Sequence, residues 1–83
     1  MTLTLDGLTP AQRITLWVHG RLVVLSQKRR ITERITITET GWKLFIELRR
    51  TGFEPTRDQI REALLKVDVA TVEDGFVDLL LSA

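Results

Sequence analysis

The chain has 83 residues, a net charge of +1, 43% apolar residues and no cysteine. This length makes one domain, residues 1–83, and the lack of cysteine excludes a disulfide framework and a Cys/His zinc site. Without disulfides or zinc, the stability of so short a chain must come from an apolar core, within the chain or extended across an oligomer interface. The small net charge excludes a polyanion-seeking protein of the histone kind.

The first predicted elements are a short strand over Thr2–Leu5 and a helix that starts at Pro10. Thr9 can cap this helix, Pro10 suits the first helical position because it has no N–H, and Gln12 completes a capping box. Apolar residues then recur on one broad face, as expected of a helix packed on a sheet. They are Ile14, Trp17, Val18, Leu22 and Leu25. Arg21 interrupts this face and must extend its charge towards solvent.

The end of this helix has two interpretations. Leu16 and Val23 lie on its other side, so a helix that continues past Gly20 is apolar nearly all round and needs cover on both sides. Alternatively, the helix ends at Gly20 and the chain continues as a strand over Arg21–Ser26. The longer helix is the favoured interpretation.

A β-hairpin is predicted next. Apolar and polar residues alternate over Arg34–Thr38 and again over Lys43–Leu48, with a two-residue turn at 40–41 between them. In this register the isoleucines face apolar partners on one side, and Arg34 stands opposite Glu47 on the other. A slip of one residue would destroy both matches, so the pattern favours this hairpin.

Arg34–Thr38 also resembles, in outline, the DNA-reading strand of ribbon-helix-helix repressors. In that family a helix follows the strand directly. Here the predicted hairpin places Gly41 and a second strand at that point, so the resemblance stops at the strand.

A second helix is predicted after Gly52. Thr56 and Gln59 repeat the capping box, and an apolar stripe follows at helical spacing. The stripe consists of Ile60, Ala63, Leu64 and Val67. This short amphipathic helix is expected to lie on one face of a sheet.

The C-terminal residues allow a hairpin or a helix. Asp74 and Gly75 between apolar runs are a strong hairpin signal that would pair Val72 with Val77. Thr71 followed by Asp74 suits instead the start of a terminal helix. With the favoured hairpin, the elements predict an α+β fold, a small two-layer sandwich of a mainly antiparallel sheet with two helices on one face.

No catalytic, cofactor or metal site is predicted. The scattered glycines form no phosphate-binding loop, and neither Ser26 nor Ser82 stands in a nucleophile motif. His19 is interpreted as a surface or helix-capping residue, and the adjacent Glu73 and Asp74 suit a tight turn better than acid–base chemistry. We therefore expect a protein that is not an enzyme, binds no cofactor and has no small-molecule substrate.

The sequence predicts a cytoplasmic protein without a membrane partner. Its N-terminus lacks the basic region and long apolar stretch of a secretory signal. The longest apolar run, Leu22–Leu25, is far shorter than the roughly 20 residues that span a bilayer.

The charge is distributed unevenly along the chain. Residues 1–57 hold ten Lys/Arg and five Asp/Glu, whereas residues 58–83 hold two Lys/Arg and six Asp/Glu. Such a dipolar chain can attract an oppositely charged partner, or its own copy head to tail.

A protein partner, or a second copy of the chain, is the leading functional hypothesis. The apolar and aromatic surface exceeds what a small two-layer domain buries easily, and aromatic residues are enriched at interface anchors. The candidate contact residues are Trp17, Trp42, Phe76, Leu79 and Leu81. The sequence thus predicts a non-catalytic interaction or regulatory module that can form a homo-oligomer.

Nucleic acid is the alternative partner. The basic residues before and after the predicted hairpin would gather at one of its ends, where they could contact several phosphates. The candidate nucleic-acid-binding residues are Lys28, Arg29, Arg30, Arg34, Arg49 and Arg50. Phe45, on the outward side of the hairpin, would offer a surface for base stacking.

Overall fold

The computed structural model describes residues 4–32, 34–66 and 74–82, which form a 3₁₀ turn, Leu5–Gly7, and four α-helices. The helices are α1 (Pro10–Gln27), α2 (Glu39–Arg50), α3 (Arg57–Lys66) and α4 (Asp74–Ser82). Helix α1 is central because it packs against each of the other three, and α3 also packs against α4. Since these described residues include no β-strand, the predicted α+β sandwich is wrong and the fold is all-helical.

Helix α1 follows the longer of its two predicted courses. Its capping box is formed in both directions: Gln12 N donates to Thr9 Oγ1 at 3.2 Å, and Thr9 N donates to Gln12 Oε1 at 2.8 Å. The helix continues through Gly20 to Gln27. The cover that an all-round apolar helix requires is present, because α1 lies in the middle of the molecule and Val23 on its second side is buried.

The predicted hairpin at 34–48 is wrong. Thr38 is the N-cap of α2, with its Oγ1 accepting from Gly41 N at 3.0 Å, so residues 40–41 belong to the first turn of a helix and not to a hairpin turn. The buried residues of α2 are Leu44, Phe45 and Leu48. The predicted strand places Leu44, Ile46 and Leu48 on one side, whereas Leu44, Phe45 and Leu48 are spaced for one face of a helix, and a short apolar run does not distinguish the two.

The segment before α2 is tied to α1. Ile35 N donates to Ser26 Oγ at 3.1 Å, and the His19 ring Nε2 lies 2.9 Å from Thr36 O. A helix therefore does follow Arg34–Thr38 directly, as in ribbon-helix-helix repressors. The segment itself, however, bonds to the side chains of a helix, and it pairs with no strand among the described residues.

The two ends of the chain also differ from the predicted strands. Leu5 begins the 3₁₀ turn, while Thr2 and Leu3 of the predicted first strand lie outside the described residues. The second half of the favoured C-terminal hairpin is helix α4, so that hairpin is wrong. The alternative, a terminal helix, is confirmed over Asp74–Ser82, and its proposed cap Thr71 lies outside the described residues.

Helix α3 matches its prediction closely. Thr56 N donates to Gln59 Oε1 at 2.9 Å and Gln59 N donates to Thr56 Oγ1 at 3.2 Å, which forms the second capping box. Its buried residues are Ile60, Ala63 and Leu64. Val67, the last residue of the predicted stripe, lies outside the described residues.

Helix α2 crosses α1 in the core, at Gly20. The ring of Phe45 is fully buried and rests on Gly20, where a Cβ atom would lie only 2.2 Å from Phe45 Cδ1. Glycine is therefore required at this position by close approach, because any side chain would overlap the ring. Around this contact the core collects apolar side chains from all four helices. They are Trp17, Val18, Leu22, Leu25, Phe45, Leu48, Ile60, Ala63, Leu64, Val77 and Leu80.

Substitution of Gly20 by alanine should destabilise the protein. Alanine favours a helix by about 1 kcal/mol over glycine, but overpacking a core costs about 1–3 kcal/mol, and an overlap with a buried ring lies at the high end. We expect the free energy of unfolding to fall by about 1–2 kcal/mol for Gly20→Ala, measured by urea denaturation.

Two further variants check that prediction. Gly75→Ala, in α4 where a Cβ atom meets nothing within 4 Å, should leave the free energy of unfolding unchanged or raise it by up to about 1 kcal/mol. The cost of Gly20→Ala should shrink when Phe45→Leu makes room for the added methyl group. An equal cost in both backgrounds would show that the overlap with Phe45 is not its cause.

Candidate interaction surface on helix α2

The predicted contact residue Trp17 is a core residue. Its side chain is only 1% exposed, and the Arg21 guanidinium lies over its ring at 4.8 Å from the centroid. A side chain that is covered by its own chain cannot contact a partner in this fold. The prediction that Trp17 anchors a partner is therefore wrong, because the central helix places it inward.

The other predicted contact residues lie on two different helices. Phe76 and Leu79 of α4 are half-buried and pack against the core, and Leu81 at the end of α4 is 38% exposed. Trp42 is half-buried on α2. The structure therefore does not place these residues on one helix, and it leaves Trp42 as the tryptophan at the surface.

Trp42 belongs to a mixed apolar and basic face of α2. Trp42, Ile46 and Arg49 follow each other at i, i+4 and i+7 and so lie along one side of the helix. Two adjoining shallow depressions of about 370 and 320 Å³ lie over this side. The residues that line them are Trp42, Lys43, Ile46, Glu47, Arg49 and Arg50. We call these six residues the α2 face.

The aromatic part of the α2 face rests on the core. The rings of Trp42 and Phe45 are 5.4 Å apart between centroids and inclined by 42°. The Arg49 guanidinium lies 5.7 Å from the centroid of the same Phe45 ring. Because Phe45 is held in place by Gly20, it supports both neighbouring side chains from below. Trp42 and Arg49 are thus partly ordered before any partner binds, which lowers the entropy cost of binding.

The C-terminal end of α2 is positively charged. Arg49 and Arg50 lie in its last turn, and no carboxylate of the described residues is within ion-pair distance of either. Burial, and then the charge of nearby Arg49, lower the pKa of Arg21, while Glu54 partly offsets them. The two cations of the last turn also meet the negative end of the helix dipole, which gives them a structural role as well.

The remaining predicted basic residues lie elsewhere. Lys28–Arg30 follow the C-terminus of α1, and Arg34 lies in the segment that leads to α2. The prediction placed Arg34 and Arg49 at the same end of a hairpin. Arg34 instead precedes the N-terminus of α2 and Arg49 lies in its last turn, so nearly the whole length of this 12-residue helix, about 18 Å, separates them. The predicted gathering of all six cations at one hairpin end is therefore wrong. Phe45, the predicted stacking residue, is buried.

Arg29 has a backbone conformation that is unusual for its residue type. Its φ is 57°, in the left-handed region, and it follows the C-cap Lys28 of α1. Arg30 N donates to Leu25 O at 2.9 Å and Arg29 N to Ser26 O at 3.1 Å, the hydrogen bonds of a Schellman motif. Glycine is the usual residue at this position, as Gly52 (φ 79°) is after α2. An exposed arginine is thus kept where glycine would fit better.

Arg29→Gly should therefore stabilise the fold. Replacing a non-glycine residue in the left-handed region by glycine raises the free energy of unfolding by about 1–2 kcal/mol. The greater freedom of glycine in the unfolded chain lowers it again by about 0.4–1 kcal/mol. We expect a net gain of about 1 kcal/mol in urea denaturation. Arg30→Gly, one residue further along, should give no gain, and a gain of equal size there would contradict the explanation.

The α2 face includes one residue, Ile46, that is not among the predicted contacts. The predicted hairpin places Ile46 on its inner side, whereas in the helix it lies next to Trp42 on the outer side. The signal that could have found it is the spacing of Trp42, Ile46 and Arg49, which becomes a stripe only once a helix is assumed.

Comparison of the chain with protein-family models, with curated proteins and with solved structures found no match. Among the described residues, no group of three or more His, Asp or Glu side chains could hold a metal ion. None of the described helices combines the length and the apolar character that crossing a membrane requires.

Proposed function

We propose that this protein is a non-catalytic interaction module that binds a protein partner through the α2 face. The partner surface that fits is apolar with acidic residues at its edge. Trp42 and Ile46 supply the apolar contact, and Arg49 and Arg50 supply the charges that select an acidic partner.

The observation that carries this proposal is the meeting of two residue types on one helix. The sequence predicts Trp42 as an aromatic contact and Arg49 as a basic one, and the helix puts them on the same side, two turns apart with Ile46 between them. Tryptophan and arginine are the residue types most enriched at the energetic centres of protein interfaces. Each 100 Å² of apolar surface buried here, counted over both molecules, would contribute about 2.5 kcal/mol before the costs of association.

Site-specific photo-crosslinking tests the proposal in cells that make the protein. A photoreactive amino acid at Lys43, on the rim of the α2 face, should form adducts with a protein partner or with a second copy of the chain. The same amino acid at Gln27, which is exposed on α1, is the matched control. Arg49→Glu together with Arg50→Glu should lower the adduct yield at Lys43 by about tenfold or more, because two favourable contacts become repulsive.

Adduct yields that are equal at positions 43 and 27 would contradict the proposal. So would a yield at Lys43 that the double charge reversal leaves unchanged. Circular dichroism of the purified variants checks that the helices are intact, as expected for substitutions at exposed positions.

Nucleic acid is a second candidate partner, and Arg29 is the observation that favours it. A cation kept in a strained position within the exposed Lys28–Arg30 run suggests that its side chain has a use outside the fold. Three adjacent cations can contact neighbouring phosphates, and the affinity would then fall steeply with salt.

The double variant Arg29→Gly with Arg30→Ala tests nucleic-acid binding by these arginines without destabilising the fold. The double variant removes two cations while relieving the strained backbone, so a loss of binding cannot result from unfolding. In a mobility-shift assay at about 50 mM salt, it should lose most of the affinity for duplex or single-stranded DNA. Lys43→Gln with Lys66→Gln removes the same charge elsewhere and should retain binding. No shift of the wild-type protein at this salt concentration would remove the nucleic-acid hypothesis.

A further inference from the structure

Helix α3 carries an exposed stripe that complements the α2 face. Asp58, Glu62 and Leu65 follow each other at i, i+4 and i+7, and all three are exposed. Leu65 is 70% exposed, more than any other large hydrophobic residue that the structure describes. We call these three residues the α3 stripe. A leucine this far out of a small domain contributes nothing to its core, and it is available to a partner.

The charges of the α3 stripe are available as well. The Asp58 side chain is 94% exposed, and its pairing with Arg61 is at the 4.0 Å limit of an ion pair. Glu62 has no cation of the described residues within ion-pair distance. Both carboxylates can therefore accept an arginine from another molecule without giving up a strong contact within this one.

The two surfaces match when the helices run antiparallel. Trp42 to Arg49 and Asp58 to Leu65 are both seven residues apart, about 10 Å along a helix. Placing Trp42 of one copy on Leu65 of another brings Arg49 opposite Asp58. Glu62 then lies between the two ends of the contact, within reach of the flexible Arg49 and Arg50 side chains.

The opposite ends of the helices agree with this alignment. Helix α2 begins with Glu39 and ends with two arginines, whereas α3 carries Asp58 in its first turn and Lys66 in its last. The first residue of α3, Arg57, is paired with Asp78 of α4. Antiparallel packing thus places an acidic end next to a basic end at both ends of the contact. The whole chain has the same polarity, since the excess of basic residues lies in 1–57 and the excess of acidic residues in 58–83.

We propose that the partner of the α2 face is the α3 stripe of a second copy of this chain. This inference rests on the proposed function and names its partner. The contact joins unlike surfaces, so each copy has one of each to offer, and assembly continues until a ring closes or concentration limits it. Trp42 and Leu65 form the apolar centre, and the arginine–carboxylate pairs set the direction in which the helices run.

Charge exchange between the two surfaces tests the inference. One variant carries Arg49→Glu and Arg50→Glu, and the other carries Asp58→Lys and Glu62→Lys. Sedimentation equilibrium at low salt should show that the wild type associates at about 100 µM, and that each variant alone is at least about tenfold weaker, since like charges then face each other. An equimolar mixture of the two variants should associate as the wild type does, because mixing restores opposite charges at both kinds of contact.

Association that is lost in the α2 variant but retained in the α3 variant would overturn this inference and leave the α2 face as the contact for some other surface. A wild-type chain that is monomeric at about 100 µM in low salt would also overturn it. In that case, crosslinks from Lys43 to a different protein would still support the proposed function. A mixture that stays monomeric while each variant is folded would overturn the pairing of the two surfaces.

Discussion

The ring of Phe45 lies on the backbone of α1 at Gly20, and the position of α2 depends on this contact. A residue with a side chain at position 20 would hold the two helices apart, so the close crossing exists only because α1 contains a glycine in its middle. Once Phe45 and Leu48 point inward, Trp42 and Ile46 must lie towards solvent. The packing of α2 on α1 therefore determines which residues form the α2 face.

The central place of α1 also explains why Trp17 does not reach the surface. A helix that is apolar on all sides needs cover on all sides, and α1 obtains it from three helices and from the segment tied to Ser26 and His19. Trp17 is therefore buried, although its residue type suggests an interface anchor. The chain has more apolar residues than a small two-layer domain buries easily, and most of them lie in the core of the four-helix fold.

The proposed interaction surface combines residues that the sequence suggested for two different kinds of partner. The sequence predicts Trp42 as an aromatic contact and Arg49 as a phosphate contact, the latter at one end of a hairpin that does not form. Their position on one side of α2 depends on the helix, since a strand would put them on opposite faces and a helix puts them on the same one. For the same reason Glu62 and Leu65 lie on one surface only because α3 is a helix.

The sequence by itself determined those features that depend on a few neighbouring residues. The capping boxes at Thr9 and Thr56 need only four consecutive residues each, and both form as predicted. The range Lys43–Leu48 was different, because its apolar residues satisfy the period of a strand and of a helix equally well. What selects the helix is a partner distant in the sequence, the glycine in α1 that receives Phe45. Only the tertiary structure could supply that contact, and with it the direction in which Trp42, Ile46 and Arg49 face.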